Sequence, residues 1–203
     1  LYLLYERGKA MQEAVPVGKG SMLAILGAKI EDIYDLLNSF KEKGVCEIAN
    51  DNADGQVIVS GDKDSIFSFQ SLLKEKKIKS IPLKVSAPFH CSLMKSAADK
   101  MSDKIKNTNF RSPTHSILSN VTAKTEKNPE NIKKLLIDQI FSTVKWRETI
   151  INISNEGVSN FVEIGPGKVL TGMVKRTVKN VNCFSINSID DIKNLKFTTG
   201  VLS

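Results

Sequence analysis

The chain has 203 residues, of which 41% are hydrophobic and 25% are charged, which is the usage of a globular protein long enough to bury a sizeable core. This composition excludes intrinsic disorder, and the longest apolar stretch, Met22 to Ala28, falls far short of the ~18 residues that cross a bilayer. The net charge of +7 comes from 25 lysines and four arginines spread along the chain against 22 acidic residues, which argues against nucleic acid and leaves a lysine-rich surface or an acidic protein partner.

The first predicted element is an amphipathic helix that begins at Leu1 and ends at Pro16 and the glycines that follow it. No capping residue precedes its apolar positions. A helix that begins without a capping residue is typical of a truncated helix. We therefore expect residues of the native protein ahead of Leu1.

Residues 21–86 contain elements in the order strand, helix, strand, strand, helix, strand. The predicted strands are Met22 to Leu26, Val45 to Ala49, Gln56 to Ser60 and Ile81 to Val85. Gly44 predicts the end of the first helix, Asn50 to Gly55 a loop rich in turn formers, and Asp62 the N-cap of the second helix. Pro82 confines the last strand to a sheet edge or to its first residues. This order predicts a ferredoxin-like βαββαβ subdomain inserted into something larger.

The rest of the chain alternates helices with strands. The predicted elements are a helix from Leu93 to about Lys106, a strand at Ile117 to Val121, a helix entered through Asn128 and Pro129, a helix after Trp146 that stops at Gly157, a strand at Phe161 to Ile164, a helix around Leu170 and a strand at Cys183 to Ile186. Such alternation favours a parallel α/β sheet with helices on both faces. We therefore predict an α/β core made of residues 1–20 and 87–203, with residues 21–86 as the small subdomain.

The chain has two histidines, so candidates for a general base are few. His90 lies where a strand breaks into a loop before a helix, a common place for catalytic side chains, although a structural loop histidine is the alternative. His115 lies in a polar turn and is the weaker candidate. Cys91 points away from His90 in an extended chain, so we reject a Cys-His dyad and expect a small buried side chain. Cys46, Cys91 and Cys183 are far apart, which fits reduced thiols in a cytoplasmic protein.

Two further features have both a functional and a structural interpretation. Arg7 is one of four arginines and lies on a largely apolar helix, where its planar guanidinium could bind a carboxylate or form a surface salt bridge with Glu6 or Glu13. Gly165-Pro166-Gly167 could cradle an anion at a helix N-terminus or make a tight strand-to-helix turn. No Gly-x-Ser-x-Gly elbow occurs, so the sequence contains no recognisable seryl nucleophile.

Three motifs, taken in this order, resemble the bacterial malonyl-CoA:acyl carrier protein transacylases. They are Arg7 to Pro16 (RGKAMQEAVP), Val85 to Met94 (VSAPFHCSLM) and Val162 to Gly172 (VEIGPGKVLTG), and the resemblance extends from Leu1 to about Ile186. It implies an α/β-hydrolase-like acyltransferase core with an inserted ferredoxin-like subdomain. It also implies ping-pong transfer in fatty acid biosynthesis, in which a serine takes the malonyl group from malonyl-CoA and the phosphopantetheine thiol of acyl carrier protein takes it from the serine. No cofactor and no metal are implied.

The resemblance also assigns roles to single residues. His90 would be the general base that activates the serine and later the thiol, and Arg7 would hold the malonyl carboxylate. Gln139 matches the position whose backbone carbonyl orients the histidine ring. Thr143 stands where the family commonly has proline, which predicts a less rigid loop around that carbonyl.

Substrate-binding positions follow in the same way. Asn50 and Asn52 match the asparagines that line the family's cleft. Phe89 precedes the base, as it tends to in relatives that select malonyl, whereas those that select methylmalonyl place serine there. The surplus of positive charge is expected to serve docking of an acidic carrier protein, with Lys175 and Arg176 as contributors.

One departure from the family matters for function. The Gly-His-Ser-x-Gly elbow and the oxyanion loop have no counterpart in residues 1–203, so the chain as printed is expected to be a truncated or partial enzyme that does not turn over malonyl-CoA alone. A non-catalytic acyl-CoA or carrier-protein binding module is therefore the alternative. An RNA-binding or metal-binding role of the ferredoxin-like part is disfavoured, because its strands lack stacking aromatics and clustered metal ligands.

Overall fold

A computed structural model describes residues 1–41 and 43–195. The helices are α1 (Tyr2–Glu13), α2 (Ile30–Ser39), α3 (Lys63–Glu75), α4 (Lys95–Lys106), α5 (Pro129–Asp138), α6 (Trp146–Asn155), α7 (Val169–Thr177) and α8 (Ile189–Lys193), with a short 3-10 helix at Ser92–Met94. The strands are β1 (Gly20–Leu26), β2 (Cys46–Ala53), β3 (Gln56–Asp62), β4 (Lys79–Pro82), β5 (Ile117–Leu118), β6 (Thr125–Glu126), β7 (Asn160–Ile164) and β8 (Asn182–Ile186). Within the described residues, no helix is long and apolar enough to cross a membrane. The chain divides into one compact unit, Leu1–Thr149, and a second that begins at Ile150.

The first unit contains a four-stranded sheet in the order β2-β3-β1-β4, and every neighbouring pair is antiparallel. Because α2 connects β1 to β2 and α3 connects β3 to β4, this is the strand order of a ferredoxin-like βαββαβ unit. Helices and sheet share one apolar core. Its fully buried members include Leu23, Ile25, Ile33, Val57, Val59, Phe69 and Leu73.

Strand β2 is longer than the sequence predicts. Asn50 to Asn52, assigned to a loop for their turn-forming side chains, continue the strand to Ala53, with irregularities between Ile48 and Asn50 and again before Ala53. This part of the strand pairs with β3 on one side, while on the other Asn50 forms a parallel bridge to Val144. Backbone bonding on both sides outweighs the turn preference of these residues.

Two helix boundaries also differ from the sequence prediction. Helix α2 ends at Ser39, before Gly44, because Phe40 adopts an extended backbone and packs edge-on against Phe69, with ring centroids 5.1 Å apart. Asp62 does occupy the N-cap position of α3, but its carboxylate makes no capping bond and accepts instead from the Val45 N–H at 2.6 Å. Tertiary contacts thus decide both boundaries.

Two predicted strands are shorter in the structure. Strand β4 lies at the sheet edge, as Pro82 predicts, but ends at that proline, and Val85 then bonds locally to the Leu83 carbonyl. Strand β5 ends at Leu118 and forms a two-residue antiparallel hairpin with β6, so the predicted extension to Val121 is wrong. The chain turns there, since the Ala123 N–H donates to the Ser119 carbonyl.

A second apolar cluster of the first unit packs α1 against α4. Its buried members include Ala10, Met11, Val15, Ala87, Met94, Ala97, Ala98, Met101 and Ile140. These residues come from both segments of the predicted α/β core, whereas the cluster under the four-stranded sheet lies within residues 21–86. The proposed domain boundaries themselves remain a prediction, and the division by contacts falls elsewhere, inside α6.

The second unit contains a β-α-β sequence. Strands β7 and β8 pair in parallel from Asn160 opposite Asn182 to Ile164 opposite Ile186, and α7 connects them. This is the parallel arrangement that alternating strands and helices predict for this segment. Helix α8 follows and is capped by Ser188, whose hydroxyl accepts from the Asp191 N–H.

Candidate functional site

His90 lies in the connection between β4 and the 3-10 helix at Ser92–Met94, and it is half-buried. Its ring Nδ1 lies 2.9 Å from the backbone carbonyl oxygen of Gln139. Gln139 caps the C-terminus of α5, where carbonyls have no partner one turn further along the helix, so its oxygen is available to the ring. This is the contact that the family resemblance implies for the two residues, and their part in catalysis stays a prediction.

The bond to Gln139 decides which ring nitrogen of His90 carries the proton. A carbonyl oxygen can only accept, so Nδ1 donates and the neutral ring keeps its Nε2 lone pair free to take a proton. Burial lowers the pKa of His90, the bond to Gln139 opposes that effect, and the positive charge of Arg7 lowers the pKa further. The ring is therefore neutral at pH 7, which is the form that a general base requires.

The backbone of His90 has φ 60°, in the left-handed region that few residues other than glycine adopt. Holding a residue there costs about 1 to 3 kcal/mol, and such conformations concentrate at functional sites. Its sequence neighbours Ala87, Pro88 and Cys91 are buried, so the turn that carries His90 is anchored in the core.

Arg7 lies on α1, near enough to His90 for its charge to act on the ring. Its Nε is buried and has no hydrogen-bond partner among the described residues. Burial lowers the pKa of Arg7, although a guanidinium keeps its charge near neutral pH. An unsatisfied, buried cationic donor is costly, and an anion bound beside it would remove that cost.

The salt-bridge alternative for Arg7 is wrong in this structure. Glu6 pairs with Lys104 at 2.6 Å and Glu13 pairs with Lys100 at 3.2 Å, and both lysines lie on α4. The two glutamates therefore join α1 to α4 rather than pairing with Arg7.

The residues beside His90 are positioned by packing. Phe89 is half-buried and packs against the α1–α4 cluster, and its role in substrate selection stays a prediction. Cys91 is fully buried, and its Sγ donates to the Pro88 carbonyl at 3.2 Å. Burial raises the pKa of Cys91, so the thiol is a poor nucleophile, as expected.

Asn50 and Asn52 lie on β2 on either side of Asp51. Asp51 is buried, and both of its carboxylate oxygens accept from the Nε of Arg147, at 2.9 and 3.0 Å. Burial raises the pKa of Asp51, and the bond to Arg147 opposes that effect. This ion pair leaves no signal in the sequence, because its members are 96 residues apart.

Two more contacts near His90 were missed from the sequence. Glu47 on β2 accepts from the N–H and the hydroxyl of Ser92, at 2.8 and 2.6 Å. The hydroxyl of Thr143 donates to the Ile48 carbonyl at 2.6 Å. The second contact restrains the loop that was expected to be less rigid, because Thr143, which stands in place of the family's proline, is bonded to β2.

An open cleft of about 500 Å³ borders His90. Its lining includes Phe141, Ser142 and Thr143, together with residues of α2 and β2, among them Glu47. The residues that line the cleft do not include Arg7, Asn50, Asn52 or Phe89, so these predicted site residues do not share this cavity with His90. Where the structure describes the chain, no group of three or more histidine, cysteine or acidic side chains could hold a metal ion.

The remaining candidates are His115 and residues of the second unit. His115 is exposed in its turn. Lys175 and Arg176 lie exposed in the last turn of α7. The N-terminus of α7 is already occupied, because the Glu163 carboxylate accepts from the N–H groups of Leu170 and Thr171 at 3.0 and 2.7 Å. The Gly-Pro-Gly segment therefore makes a strand-to-helix turn, and its anion-binding alternative is not supported.

Comparison with known proteins identifies similar sequences over nearly the whole chain. Residues 1–197 match the family described as acyl transferase domain. The malonyl CoA-acyl carrier protein transacylase of Haemophilus influenzae is 40% identical over 184 residues, which cover 90% of this chain and 59% of the relative. The chain thus spans about three fifths of the length of this curated relative.

Solved structures of similar proteins superpose closely. An acyl carrier protein S-malonyltransferase from Vibrio cholerae has a TM-score of 0.92 and 38% identity, with 96% of this chain and 64% of that chain covered. A second is described as a type II PKS acyl-carrier protein in complex with its malonyl-transacylase, with a TM-score of 0.91, 36% identity, and 95% and 63% of the two chains covered.

Proposed function

Since the chain belongs to the acyl transferase domain family, we propose that its complete protein transfers the malonyl group from malonyl-CoA to the phosphopantetheine thiol of acyl carrier protein, in fatty acid biosynthesis. The names of similar proteins support this substrate pair. One structural observation carries the proposal. The neutral His90 ring, oriented by the Gln139 carbonyl, lies within the electrostatic influence of a buried guanidinium that has an unsatisfied donor.

His90 moves protons in both halves of the proposed reaction. Its Nε2 takes the proton of a serine hydroxyl as the oxygen attacks the malonyl thioester, and it then gives that proton to the departing CoA sulfur. In the second half it takes the proton of the phosphopantetheine thiol and returns it to the serine oxygen when the acyl-serine ester breaks. The Gln139 carbonyl stabilises the positive ring that exists between these steps.

Arg7 gives the proposed reaction its selectivity for a carboxylated acyl group. A guanidinium offers two parallel N–H donors to a carboxylate, and such charge-assisted bonds are about twice as strong as neutral ones. The donor that Arg7 Nε leaves unsatisfied would then be used. Acetyl groups carry no carboxylate and would gain nothing from this residue.

The proposed reaction needs no resident cofactor, because both substrates bring their own thiols. We place it in the cytoplasm, which agrees with three free cysteines, none of which forms a disulfide. The serine nucleophile of this family lies in a Gly-His-Ser-x-Gly elbow, which residues 1–203 do not contain. A reading frame that encodes no such elbow upstream of Leu1 would favour the non-catalytic binding module.

The test is transfer of radiolabelled malonyl from malonyl-CoA to phosphopantetheinylated acyl carrier protein by the complete protein. His90→Asn is the informative variant, because asparagine tolerates a positive φ and the backbone is preserved. We expect this variant to lose about 10²- to 10⁴-fold in rate, the usual contribution of a general base. The matched control is His115→Asn, which should keep the wild-type rate. Absence of transfer by the unmodified protein, or full activity of folded His90→Asn, would overturn the proposal.

A further inference from the structure

Strand β2 is bonded to both chain segments that meet at the His90–Gln139 hydrogen bond. On the His90 side, the Glu47 carboxylate holds Ser92 through its N–H and its hydroxyl. On the Gln139 side, the Thr143 hydroxyl donates to the Ile48 carbonyl at 2.6 Å. One strand is thus bonded close in sequence to both partners of the His90–Gln139 hydrogen bond.

The attachment on the Gln139 side continues for several residues. The Val144 N–H donates to the Ala49 carbonyl at 2.8 Å, and the Asp51 N–H donates to the Val144 carbonyl at 2.9 Å. Thr143 precedes Val144 and is therefore nearer to Gln139 in sequence, and its side chain adds a further bond to β2 at this end of the ladder. Between Gln139 and Thr143, the N–H groups of Ile140 and Phe141 donate to the carbonyls of Ile137 and Asp138 in α5, not to β2.

We propose that Thr143 is a positioning residue for His90, whose hydroxyl bond to β2 keeps the Gln139 carbonyl directed at the ring nitrogen. The hydroxyl thereby supplies by a side-chain bond the restraint that a proline ring supplies through its fixed φ. Thr143 does not touch the reacting atoms in this proposal. The kinetic part of its test rests on the proposed malonyl transfer, whereas its titration part does not.

The protonation of His90 reports on this role. The bond to Gln139 raises the pKa of His90, while burial and the charge of Arg7 lower it. If the carbonyl moves away from the ring while burial and Arg7 are unchanged, the pKa of His90 must fall further. A purely structural threonine would change the stability of the protein without moving this value.

The experiment compares Thr143→Val, which removes the hydroxyl at nearly constant volume, with Thr143→Ser, which keeps it. Thr108→Val is the matched control, because the Thr108 hydroxyl also donates to a backbone carbonyl, that of Lys104, but at the end of α4. The His90 ring is titrated by NMR in the complete protein, with its signal assigned by loss in His90→Asn. Steady-state transfer from malonyl-CoA is measured alongside.

We expect Thr143→Val to lower the pKa of His90 and to reduce kcat by about two- to tenfold, while KM for malonyl-CoA stays unchanged. This factor corresponds to the loss of one neutral hydrogen bond. Thr143→Ser and Thr108→Val should match the wild type. An unchanged or higher pKa of His90 in folded Thr143→Val would refute the role. If the valine variant does not fold, Thr143→Ala gives the same readings. Because the titration needs no substrate, it stands even if the protein transfers a different acyl group.

Discussion

The Nε of Arg147, in the first turn of α6, donates to both carboxylate oxygens of Asp51 on β2, at 2.9 and 3.0 Å. The Asp51 side chain is 7% exposed and that of Arg147 is 27% exposed, so the ion pair is largely shielded from water. It lies next to Asn50 and Asn52, the two predicted cleft residues. The pair therefore holds the segment that follows Gln139 against the strand that carries those asparagines.

Arg147→Leu is expected to lower the free energy of unfolding by about 2 to 3 kcal/mol at pH 7, because it leaves a buried carboxylate unpaired. The loss is smaller than for a fully buried ion pair, since Arg147 is partly exposed. Burial raises the pKa of Asp51 and Arg147 opposes this, so the variant should bind a proton at Asp51 more readily when folded than when unfolded. The difference in free energy of unfolding between the variant and the wild type, measured by urea titration, should therefore shrink as the pH falls towards 4. A deficit equal at both pH values, or absent at pH 7, would contradict this account, and Asp51→Asn combined with Arg147→Leu should recover most of the loss.

Arg7→Ala should weaken transfer of malonyl far more than transfer of acetyl. The charge-assisted bond is lost only for malonyl, and about 1.5 to 3 kcal/mol corresponds to a roughly 10- to 150-fold change in kcat/KM. The measurement is kcat/KM for malonyl-CoA and acetyl-CoA with the complete protein. Arg7→Lys is the companion variant, which keeps the charge but not the planar pair of donors. Equal losses for both substrates would exclude a carboxylate-binding role.

The pH dependence of kcat/KM should show its acidic limb below the ordinary titration range of histidine. Burial and Arg7 lower the pKa of His90, so the ring remains an unprotonated base to a lower pH than a free imidazole does. In Arg7→Ala the repulsion is gone, and the acidic limb should move to higher pH. Rate profiles between pH 4.5 and 8, taken with acetyl-CoA to avoid loss of malonyl binding, provide the comparison. An acidic limb that stays in place in this variant would show that Arg7 exerts no charge effect on the ring.

Phe89→Ser should raise transfer of methylmalonyl relative to malonyl. An aromatic ring beside His90 fills the volume that a 2-methyl group needs, and overpacking by one methyl costs about 1 to 3 kcal/mol, which corresponds to a roughly five- to 150-fold change in the ratio. A competition assay with both CoA esters at equal concentration measures the ratio. Phe89→Leu serves as control, since Phe89 also packs on the α1–α4 cluster. An unchanged ratio in a folded variant would leave packing as the role of Phe89.

Lys175→Glu with Arg176→Glu should raise KM for acyl carrier protein and leave KM for malonyl-CoA unchanged. Both residues are exposed on α7 of a chain with a net charge of +7, so they can steer an acidic partner. Transfer by the unmodified protein should weaken as salt rises from 50 to 300 mM, because added salt shortens the distance over which exposed charges attract each other. Insensitivity to both salt and charge reversal would exclude electrostatic docking at this helix.

The sequence predicts much of the fold because local patterns are strong there. The apolar periodicity of α1, α3 and α4 and the Asn128-Pro129 entry to α5 correspond to the observed helices, and Asn128 caps α5 through two N–H groups. Where long-range pairing competes with local preference, the prediction fails. Asn50 to Asn52 are turn formers by composition, yet β3 and Val144 bond to this segment from both sides.

The site was predictable only in part, for a related reason. His90 is identified from its position after a strand, but its partner is a backbone carbonyl 49 residues away, and a carbonyl leaves no mark in the sequence. Gln139 was therefore found through family resemblance. Thr143, Glu47 and the Asp51–Arg147 pair act through contacts that neither periodicity nor motif spacing encodes, so only the three-dimensional arrangement identifies them.

Both outer margins of the four-stranded sheet are closed to strand addition by another molecule. On β4 the strand is four residues long and ends in Pro82, which has no N–H to offer. On β2 the backbone groups around Asn50 are already bonded to Val144. An intruding strand would find no continuous ladder at either margin, so we expect this subdomain to resist aggregation through its edges.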